Sequence, residues 1–236
     1  MLEFDINLLS LLNSQIGKSP ALDQVAVYLS GANLFKATPM VFLLWGLWFS
    51  RSAGHQQRRS EVILIFLGSF AAMATARLLA LVLPFRVRPL HNPDLLLRIP
   101  EEMERGLLET WSSMPSDHAA LAFALATGIF LIHRSFGVLA LLHATLVICL
   151  PRAYLSLHYP TDLIVGAIVG MAAAWTTLRM ANTHALVAGI MRFEKVRPAS
   201  FYIFFLFIAS QMLEMFDGVR GLAHVLLHAV RNIVRI

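Results

Sequence analysis

Six runs of apolar residues divide the sequence at fairly even intervals. They cover residues 37–50, 61–84, 117–132, 136–150, 162–178 and 199–216. Several are shorter than the ~20 residues that a helix needs to cross the hydrocarbon core of a bilayer. Their number and spacing still favour helices whose ends extend into polar caps. The pattern therefore predicts an all-α fold, a polytopic membrane bundle with six transmembrane helices.

Shorter amphipathic segments flank these runs. The N-terminal stretch MLEFDINLLSLLN begins with acidic residues, lacks the basic start of a signal peptide and predicts an amphipathic helix that stays on the protein. Near the C-terminus, apolar positions recur at the spacing of a helix that lies along the membrane surface. These positions are Leu222, Val225, Leu226, Ala229, Val230 and Ile233. No linker rich in proline, glycine or serine divides the chain, so we expect one domain over residues 1–236.

The composition agrees with a membrane protein. Hydrophobic residues make up 58% of the chain and charged residues 14%, whereas a soluble domain carries about 25% charged residues. The formal net charge is +5, which in a soluble protein would suggest nucleic acid as a partner. Most of the basic residues, however, lie in short loops between apolar runs, where they set membrane orientation. We expect the lipid bilayer, and not nucleic acid, as the partner.

The distribution of charge between the loops predicts the orientation. One side of the bundle carries eight basic residues: Arg51, Arg58, Arg59, Arg134, Arg179, Arg192, Lys195 and Arg197. The positive-inside rule assigns this side to the cytoplasm. The opposite side holds the long acidic segment 85–114 and the short connection 151–161. Basic residues in the C-terminal stretch also fall on the outer side, which opposes the assignment mildly.

Three short polar blocks fall on this outer face. The block PFRVRP at residues 84–89 ends the second apolar run, and the block PSDH at residues 115–118 opens the third. The block RAYLSLHYPTD at residues 152–162 lies between the fourth and fifth runs. Nothing in their spacing requires all three to share one membrane face. Their coincidence predicts a single functional site.

The first two blocks and the start of the third carry groups that suit a phosphate. Arg88 and Arg152 are permanently charged forks that match phosphate oxygens bidentately. Ser116 occupies the N-cap position of a predicted helix, whose exposed amides and dipole favour an anion. His118 follows in the first turn of that helix and can reach whatever the helix end holds.

The third block adds a histidine and a carboxylate four residues apart, His158 and Asp162. A carboxylate at this spacing can bond one imidazole nitrogen, fix the tautomer and leave the other nitrogen free to attack. Two histidines, two arginines and a helix N-terminus without an obvious metal cluster favour phosphoryl transfer without a metal. In such chemistry a covalent histidine intermediate divides hydrolysis into two steps, and a second histidine protonates the leaving oxygen.

The three blocks, in this order, resemble the motifs of the type 2 phosphatidic acid phosphatase family. The family pattern is K-x6-R-P, then P-S-G-H, then S-R-x5-H-x3-D. The third block matches as Arg152-x5-His158-x3-Asp162, the second as Pro115-Ser116-Asp117-His118, and the first only at Arg88-Pro89. The resemblance extends over a catalytic core of about residues 35–216.

The resemblance implies a role for each matched residue. His158 would be the nucleophile, Asp162 its orienting partner and His118 the general acid, while Arg88, Ser116 and Arg152 would hold the phosphate. It also implies catalysis without a metal or other cofactor. Family substrates include phosphatidic acid, phosphatidylglycerol phosphate, polyprenyl pyrophosphates and lipid A phosphates. The outward-facing site favours an undecaprenyl pyrophosphate or related carrier in a bacterial inner membrane, with the site facing the periplasm or exterior.

Three departures from the family pattern stand out. Leu81 occupies the position of the family lysine, so we expect Arg86 or Arg77 to supply a substitute cation. Arg86 is the preferred substitute, because a helical side chain at position 77 leans away from the outer end. Asp117 replaces the usual glycine and should point toward an arginine. Pro151 replaces a serine and removes a hydroxyl and an amide donor.

Other interpretations of the same residues stay open at this point. His158 and Asp162 could form a structural polar pair at a helix start, and the arginines could extend to lipid headgroups. The same site could transfer phosphate to an acceptor other than water, which would make the protein a lipid phosphotransferase. A catalytically silent membrane scaffold or transporter subunit is a further alternative, based on the departures at Leu81 and Asp117.

Overall fold

The structure, a computed structural model, describes residues 3–50, 54–101, 103, 111–180 and 183–215. They fall into two compact units, one formed by the described residues up to Val187 and the other by those from Ala188 onward. Every regular element in these ranges is helical. The predicted all-α fold class is therefore confirmed.

The first unit contains the helices that build the functional site. They are α1 (Glu3–Asn13), α2 (Pro20–Gly31), α3 (Thr38–Phe49), α4 (His55–Val82), α5 (Asp117–Ile132), α6 (Arg134–His143), α7 (Leu150–Tyr154) and α8 (Pro160–Arg179). A π-helical stretch, Ala144–Cys149, joins α6 to α7. Helix α9 (Thr183–Val196) extends across the boundary between the units, and α10 (Pro198–Leu213) lies in the second.

All six predicted apolar runs form helices. By length and composition, three helices among the described residues can cross a membrane: His55–Val82, Arg134–Tyr154 and Pro160–Arg179. Helices α3, α5 and α10 are apolar but shorter. The chain is thus a helical membrane protein, and the crossing of the bilayer by all six helices stays a prediction.

Small residues allow α4, α5 and α8 to pack closely in the middle of the first unit. A buried cluster of alanines lines their contact, namely Ala72, Ala76, Ala120, Ala124 and Ala174. On α8, a Cβ atom at Gly166 would lie 2.3 Å from Ser116 O, and one at Gly170 would lie 2.2 Å from Ala120 O. Only glycine permits this approach, which brings the N-terminal ends of α5 and α8 together.

Pro151 coincides with an irregularity in the helix of residues 134–154. Proline has no N–H to donate to the carbonyl four residues earlier, and its ring crowds that carbonyl. The backbone widens into the π-helical stretch just before this point, an arrangement that is frequent at functional sites. The Arg152 side chain donates through Nη1 to Ile148 O at 2.9 Å and so occupies a carbonyl of the irregular turn.

The N-terminal helices pack against the end of the bundle at which the third block lies. Ile16 and Ala26 share a buried cluster with Tyr154, Leu155 and Leu157. The predicted N-terminal helix is present as α1, in which Asp5 and Leu9 are buried. This packing brings an acidic residue of α1 to the start of α8.

Two stretches predicted as basic loops are partly helical. Residues 183–196 form α9, because apolar positions within that basic segment recur at helical spacing, and residues 55–60 form the first turns of α4. Helix α4 begins directly after Gly54, whose φ of 80° suits glycine. In the second unit, the Phe193 and Phe201 rings pack edge to face across the turn between α9 and α10. The predicted C-terminal amphipathic helix lies outside the described residues.

Candidate active site

Backbone hydrogen bonds join the three polar blocks at one end of the first unit. Ser116 N donates to Asp162 O at 3.1 Å, which connects the second block to the third. Ser113 N donates to Arg86 O at 2.9 Å, which connects the residues before the second block to the first. The structure also brings together side chains of the first and third blocks: Arg86 and Asp162, 76 residues apart in sequence, form a hydrogen bond.

His158 lies in the connection between α7 and α8, and its side chain is only 3% exposed. Its Nδ1 is 2.9 Å from Ser113 O. A carbonyl oxygen can only accept, so Nδ1 carries the proton and Nε2 carries the lone pair. Arg88 Nη1 donates toward that nitrogen at 3.1 Å. The imidazole is therefore held in the tautomer that presents Nε2 to an arginine.

Burial keeps His158 neutral. Removal from water disfavours the imidazolium and lowers the pKa of His158 below its ordinary value. The carboxylate of Asp162 acts in the opposite direction, and the charge of Arg88 adds to the lowering. A neutral imidazole has the free lone pair that a nucleophile requires.

The Asp162 carboxylate is fully buried at the start of α8. Its Oδ2 accepts hydrogen bonds from Tyr159 N at 2.8 Å and from Ser113 Oγ. The distance from Oδ2 to His158 Nδ1 is 3.7 Å, which is too long for a well-formed hydrogen bond. The expected direct bond from Asp162 to the imidazole is thus replaced by the Ser113 carbonyl, while Asp162 holds the serine hydroxyl and acts on His158 through charge.

Arg88 of the first block and Arg152 of the third are both buried. Arg88 donates through Nη1 to Leu157 O at 2.8 Å and through Nε to Trp111 O at 3.2 Å. Arg152 donates through Nη2 to Ser30 O at 3.4 Å in addition to its bond within its own helix. Backbone carbonyls thus fix the orientation of both guanidinium groups without neutralising their charge.

The start of α5 orients His118. Ser116 is the N-cap, and its hydroxyl accepts from Ala119 N at 3.4 Å. Asp117 Oδ1 accepts from His118 N at 2.8 Å and lies 3.0 Å from His118 Nδ1. This places the Nδ1 proton toward the carboxylate. The other carboxylate oxygen forms an ion pair with Arg77, so Asp117 points toward an arginine, as expected.

The two arginines considered as substitutes for the family lysine have different surroundings from those expected. The Arg77 guanidinium does not lean away from the site, because it pairs with Asp117 beside His118 and lies over the Trp111 ring at 4.7 Å. Arg86 instead donates to the Asp162 carboxylate at 2.5 Å. Leu81 is 82% exposed on α4. The cation from α4 nearest to His118 in this arrangement is Arg77.

Lys36 is a further basic residue of the first unit. It lies between the 3₁₀ turn Asn33–Phe35 and α3, and its Nζ donates to Asn33 Oδ1 at 2.9 Å. Its carbonyl accepts from His143 Nε2 at 3.0 Å, which fixes this connection against α6. Burial lowers the pKa of Lys36 to about 8, with a smaller lowering by Arg152 and an opposing effect of Asp117.

Comparison with known proteins identifies the family. A family model of the PAP2 superfamily matches residues 65–186, just over half of the 236-residue chain. The chain belongs to the PAP2 superfamily. All three blocks lie within the matched range, so the resemblance to type 2 phosphatidic acid phosphatases is confirmed.

Two curated proteins are similar to the chain. One is the "Bacitracin transport permease protein BcrC" of Bacillus licheniformis, 34% identical over 89 residues, which are 36% of this chain and 42% of that protein. The other is the "Putative undecaprenyl-diphosphatase YbjG" of Escherichia coli (strain K12), 24% identical over 172 residues, 72% of this chain and 80% of that protein. The chain thus matches less than half of BcrC. No solved structure matches the chain.

Four residues with contacts in or around the site were not predicted from the sequence, namely Asp5, Lys36, Ser113 and Thr161. The available signal for Ser113 was the pair Ser112 and Ser113, which lies one residue before the second block. A lysine immediately before the first apolar run, on the predicted outer side, was the signal for Lys36. Asp5 and Lys36 precede the range matched to the PAP2 superfamily, where no motif directs attention to them.

Proposed function

We propose that this PAP2 protein hydrolyses a phosphomonoester or pyrophosphate on a membrane lipid through a phosphohistidine intermediate, at the extracytoplasmic face of the membrane. The observation that carries the proposal is the setting of His158. Its Nδ1–H is held by a carbonyl, its Nε2 faces Arg88, and its burial favours the neutral form. An arginine 3.1 Å from the lone pair would hold a phosphate oxygen within reach of attack.

In the first step, the His158 Nε2 lone pair forms a bond to phosphorus while the bond from phosphorus to the leaving oxygen breaks. His118 in its imidazolium form, with Nδ1–H directed at Asp117, would donate its Nε2 proton to that oxygen and become neutral. In the second step, a water oxygen attacks the phosphohistidine, the P–N bond breaks, and the proton of water passes to His118. The products are inorganic phosphate and either the lipid alcohol, from a phosphomonoester, or the lipid monophosphate, from a pyrophosphate, and both histidines return to their starting state.

The transferring phosphate would be stabilised mainly by charge and position. Arg88 and Arg152 supply buried guanidinium groups, and the N-terminus of α5 after Ser116 supplies amides and dipole. Arg77 and Lys36 are the further cations, and we assign to this pair the role of the lysine that Leu81 replaces in the family pattern. Arg86 binds the carboxylates of Asp5 and Asp162, so it would orient Asp162 and would not bind the phosphate.

The state of the two carboxylates supports a reaction without a metal. Asp162 accepts from Arg86, Ser113 and Tyr159, and Asp117 is held by Arg77 and His118. Mg²⁺ is bound through carboxylates together with substrate oxygens. To bind it, the site would have to give up contacts that orient both histidines.

The favoured substrate is an undecaprenyl pyrophosphate or a related polyprenyl pyrophosphate, with phosphatidic acid and phosphatidylglycerol phosphate as the other members of the substrate class. The similarity to the "Putative undecaprenyl-diphosphatase YbjG" supports the first choice. The basic residues on the side opposite the site support an orientation toward the periplasm or exterior of a bacterial inner membrane.

The experiment that tests the proposal is phosphate release by the purified protein from a panel of lipid phosphates and pyrophosphates, in detergent with EDTA. We expect turnover of at least one lipid and its loss by several powers of ten in His158→Ala. A His184→Ala variant, altered outside the three blocks, serves as the control. A purified, folded protein that is inactive on the whole panel contradicts the proposal, as does release that persists unchanged in His158→Ala.

A further inference from the structure

A buried carboxylate on α1 lies outside the PAP2 match and outside the reaction described above. Asp5 is fully buried, although it is only a few residues from the start of the chain. A buried carboxylate is costly unless it is paired and hydrogen-bonded. Its partners therefore indicate what its position contributes.

Among the described residues, the Asp5 carboxylate accepts hydrogen bonds from the first and third blocks. Asp5 Oδ1 accepts from Thr161 N at 3.0 Å. Asp5 Oδ2 accepts from Thr161 Oγ1 at 2.8 Å and from Arg86 Nη2 at 2.7 Å. The carboxylate thus binds an amide in the first turn of α8, where the helix dipole favours negative charge, and it binds an arginine of the first block.

Arg86 connects the Asp5 carboxylate to the carboxylate of Asp162. Its Nη2 binds Asp5, and its Nη1 donates to Asp162 Oδ1 at 2.5 Å and to Thr161 Oγ1 at 2.9 Å. The guanidinium also lies 4.1 Å from the centre of the Tyr159 ring. Two carboxylates and an aromatic face hold the guanidinium in one orientation, in which each nitrogen of its fork has a separate carboxylate.

The connection continues from Asp162 to the nucleophile. Asp162 Oδ2 holds the Ser113 hydroxyl, and Ser113 O holds His158 Nδ1. Without Asp5, Arg86 would retain one carboxylate partner and could turn away from the geometry that fixes Asp162. A carboxylate on the N-terminal helix is therefore connected to the nucleophile through three intervening residues, Arg86, Asp162 and Ser113.

We propose that Asp5 is a positioning residue of the active site, which acts through Arg86 on Asp162 and thereby on His158. Helix α1 would then be part of the catalytic unit and not only an amphipathic helix packed on the bundle. The inference rests on the proposed function, because it assigns His158 as the group that Asp5 positions. Asp5 itself does not touch the phosphate.

The test is a double-mutant cycle of Asp5→Asn and Arg86→Ala, with the exposed Glu3→Gln as the matched control on the same helix. Loss of a charged hydrogen bond predicts that Asp5→Asn lowers kcat by about ten- to a hundredfold. KM should change by less than about twofold, because an interaction that acts only on the chemical step lowers kcat alone. In the Arg86→Ala background, Asp5→Asn should have almost no further effect on kcat, since residues that act as a unit are not additive.

The same cycle is run on the increase in Tm produced by orthovanadate, a probe that needs no turnover. If the lipid panel fails, the proposed function is refuted, while the vanadate cycle still reports on the coupling of Asp5 to the site. If the effects of Asp5→Asn and Arg86→Ala multiply in kcat and add in the vanadate-induced Tm shift, the positioning role is overturned and only a structural one is left. Wild-type kcat and vanadate response in Asp5→Asn would overturn it as well.

Discussion

Replacement of Gly166 by alanine should separate the two helix ends that form the active site. A Cβ atom at this position would lie 2.3 Å from Ser116 O and 3.0 Å from Ala119 Cβ. The nearest atom is backbone, so no side-chain rotation can relieve the contact. An ordinary van der Waals distance requires α5 and α8 to move apart by about 1 Å.

This displacement acts where the Ser116 N to Asp162 O hydrogen bond joins the second and third blocks. A misplacement of about 1 Å can cost about a hundredfold in rate, and overpacking a core costs about 1–3 kcal/mol of stability. We therefore expect Gly166→Ala to lower kcat/KM about a hundredfold and to lower Tm. Both are measured on the detergent-purified protein, by phosphate release and by thermal unfolding.

The matched control is Gly46→Ala on α3, where a Cβ atom would meet nothing within 4 Å. This variant should keep the wild-type rate, and its Tm should be equal or higher because alanine is the better helix former. A Gly166→Ala protein with the rate and Tm of the control would refute the close packing of α5 on α8 and, with it, the geometry of the site.

Three further predictions concern charge and orientation. Because burial lowers the pKa of His158 and the neutral form attacks, kcat/KM should persist as the pH falls to about 6.5, the ordinary imidazole value, and decline only below it. An acid limb above that value contradicts the assignment. Lys36→Ala should lower kcat/KM about ten- to a hundredfold, while Lys18→Ala, at an exposed position, should leave it unchanged. The same kcat/KM in both variants would show that Lys36 does not bind the phosphate. With the native cysteine replaced, a cysteine at Leu96, which is 98% exposed, should react with an impermeant thiol reagent in intact cells and one at Gln57 should not; the reverse pattern would place the site in the cytoplasm.

Much of the fold could be predicted from the sequence because it depends on local patterns. Long apolar runs have few alternatives to helices in a membrane protein, and all six runs became helices. Helix α9 was missed because its basic residues, read as a charged loop, share one helix with apolar positions such as Val187 and Met191, both buried. The π-helical stretch before Pro151 was also missed, since proline alone does not determine how a helix adapts.

The candidate site also has a part that the sequence could predict and a part that it could not. Residues within short motifs, such as His158 and Asp162, could be proposed from spacing and resemblance. Contacts between distant segments could not, because no local signal specifies which of several arginines meets which carboxylate. Asp5 and Arg86 are 81 residues apart, and only the packing of α1 against the bundle end brings them together. The sequence favoured Arg86 as the substitute for the family lysine because of its reach alone. The same packing explains why Arg86 instead binds carboxylates.

The most direct test of the account is rapid-quench trapping of the phosphorylated enzyme with a lipid substrate labelled with ³²P in the scissile phosphate. Peptide mapping by mass spectrometry then locates the phosphate. We expect an acid-labile phosphoryl group on His158 that forms within one turnover, disappears in His158→Ala and accumulates in His118→Ala if dephosphorylation also needs the acid–base residue. Turnover without any phosphoenzyme, or a phosphoryl group on a residue other than His158, would contradict the mechanism.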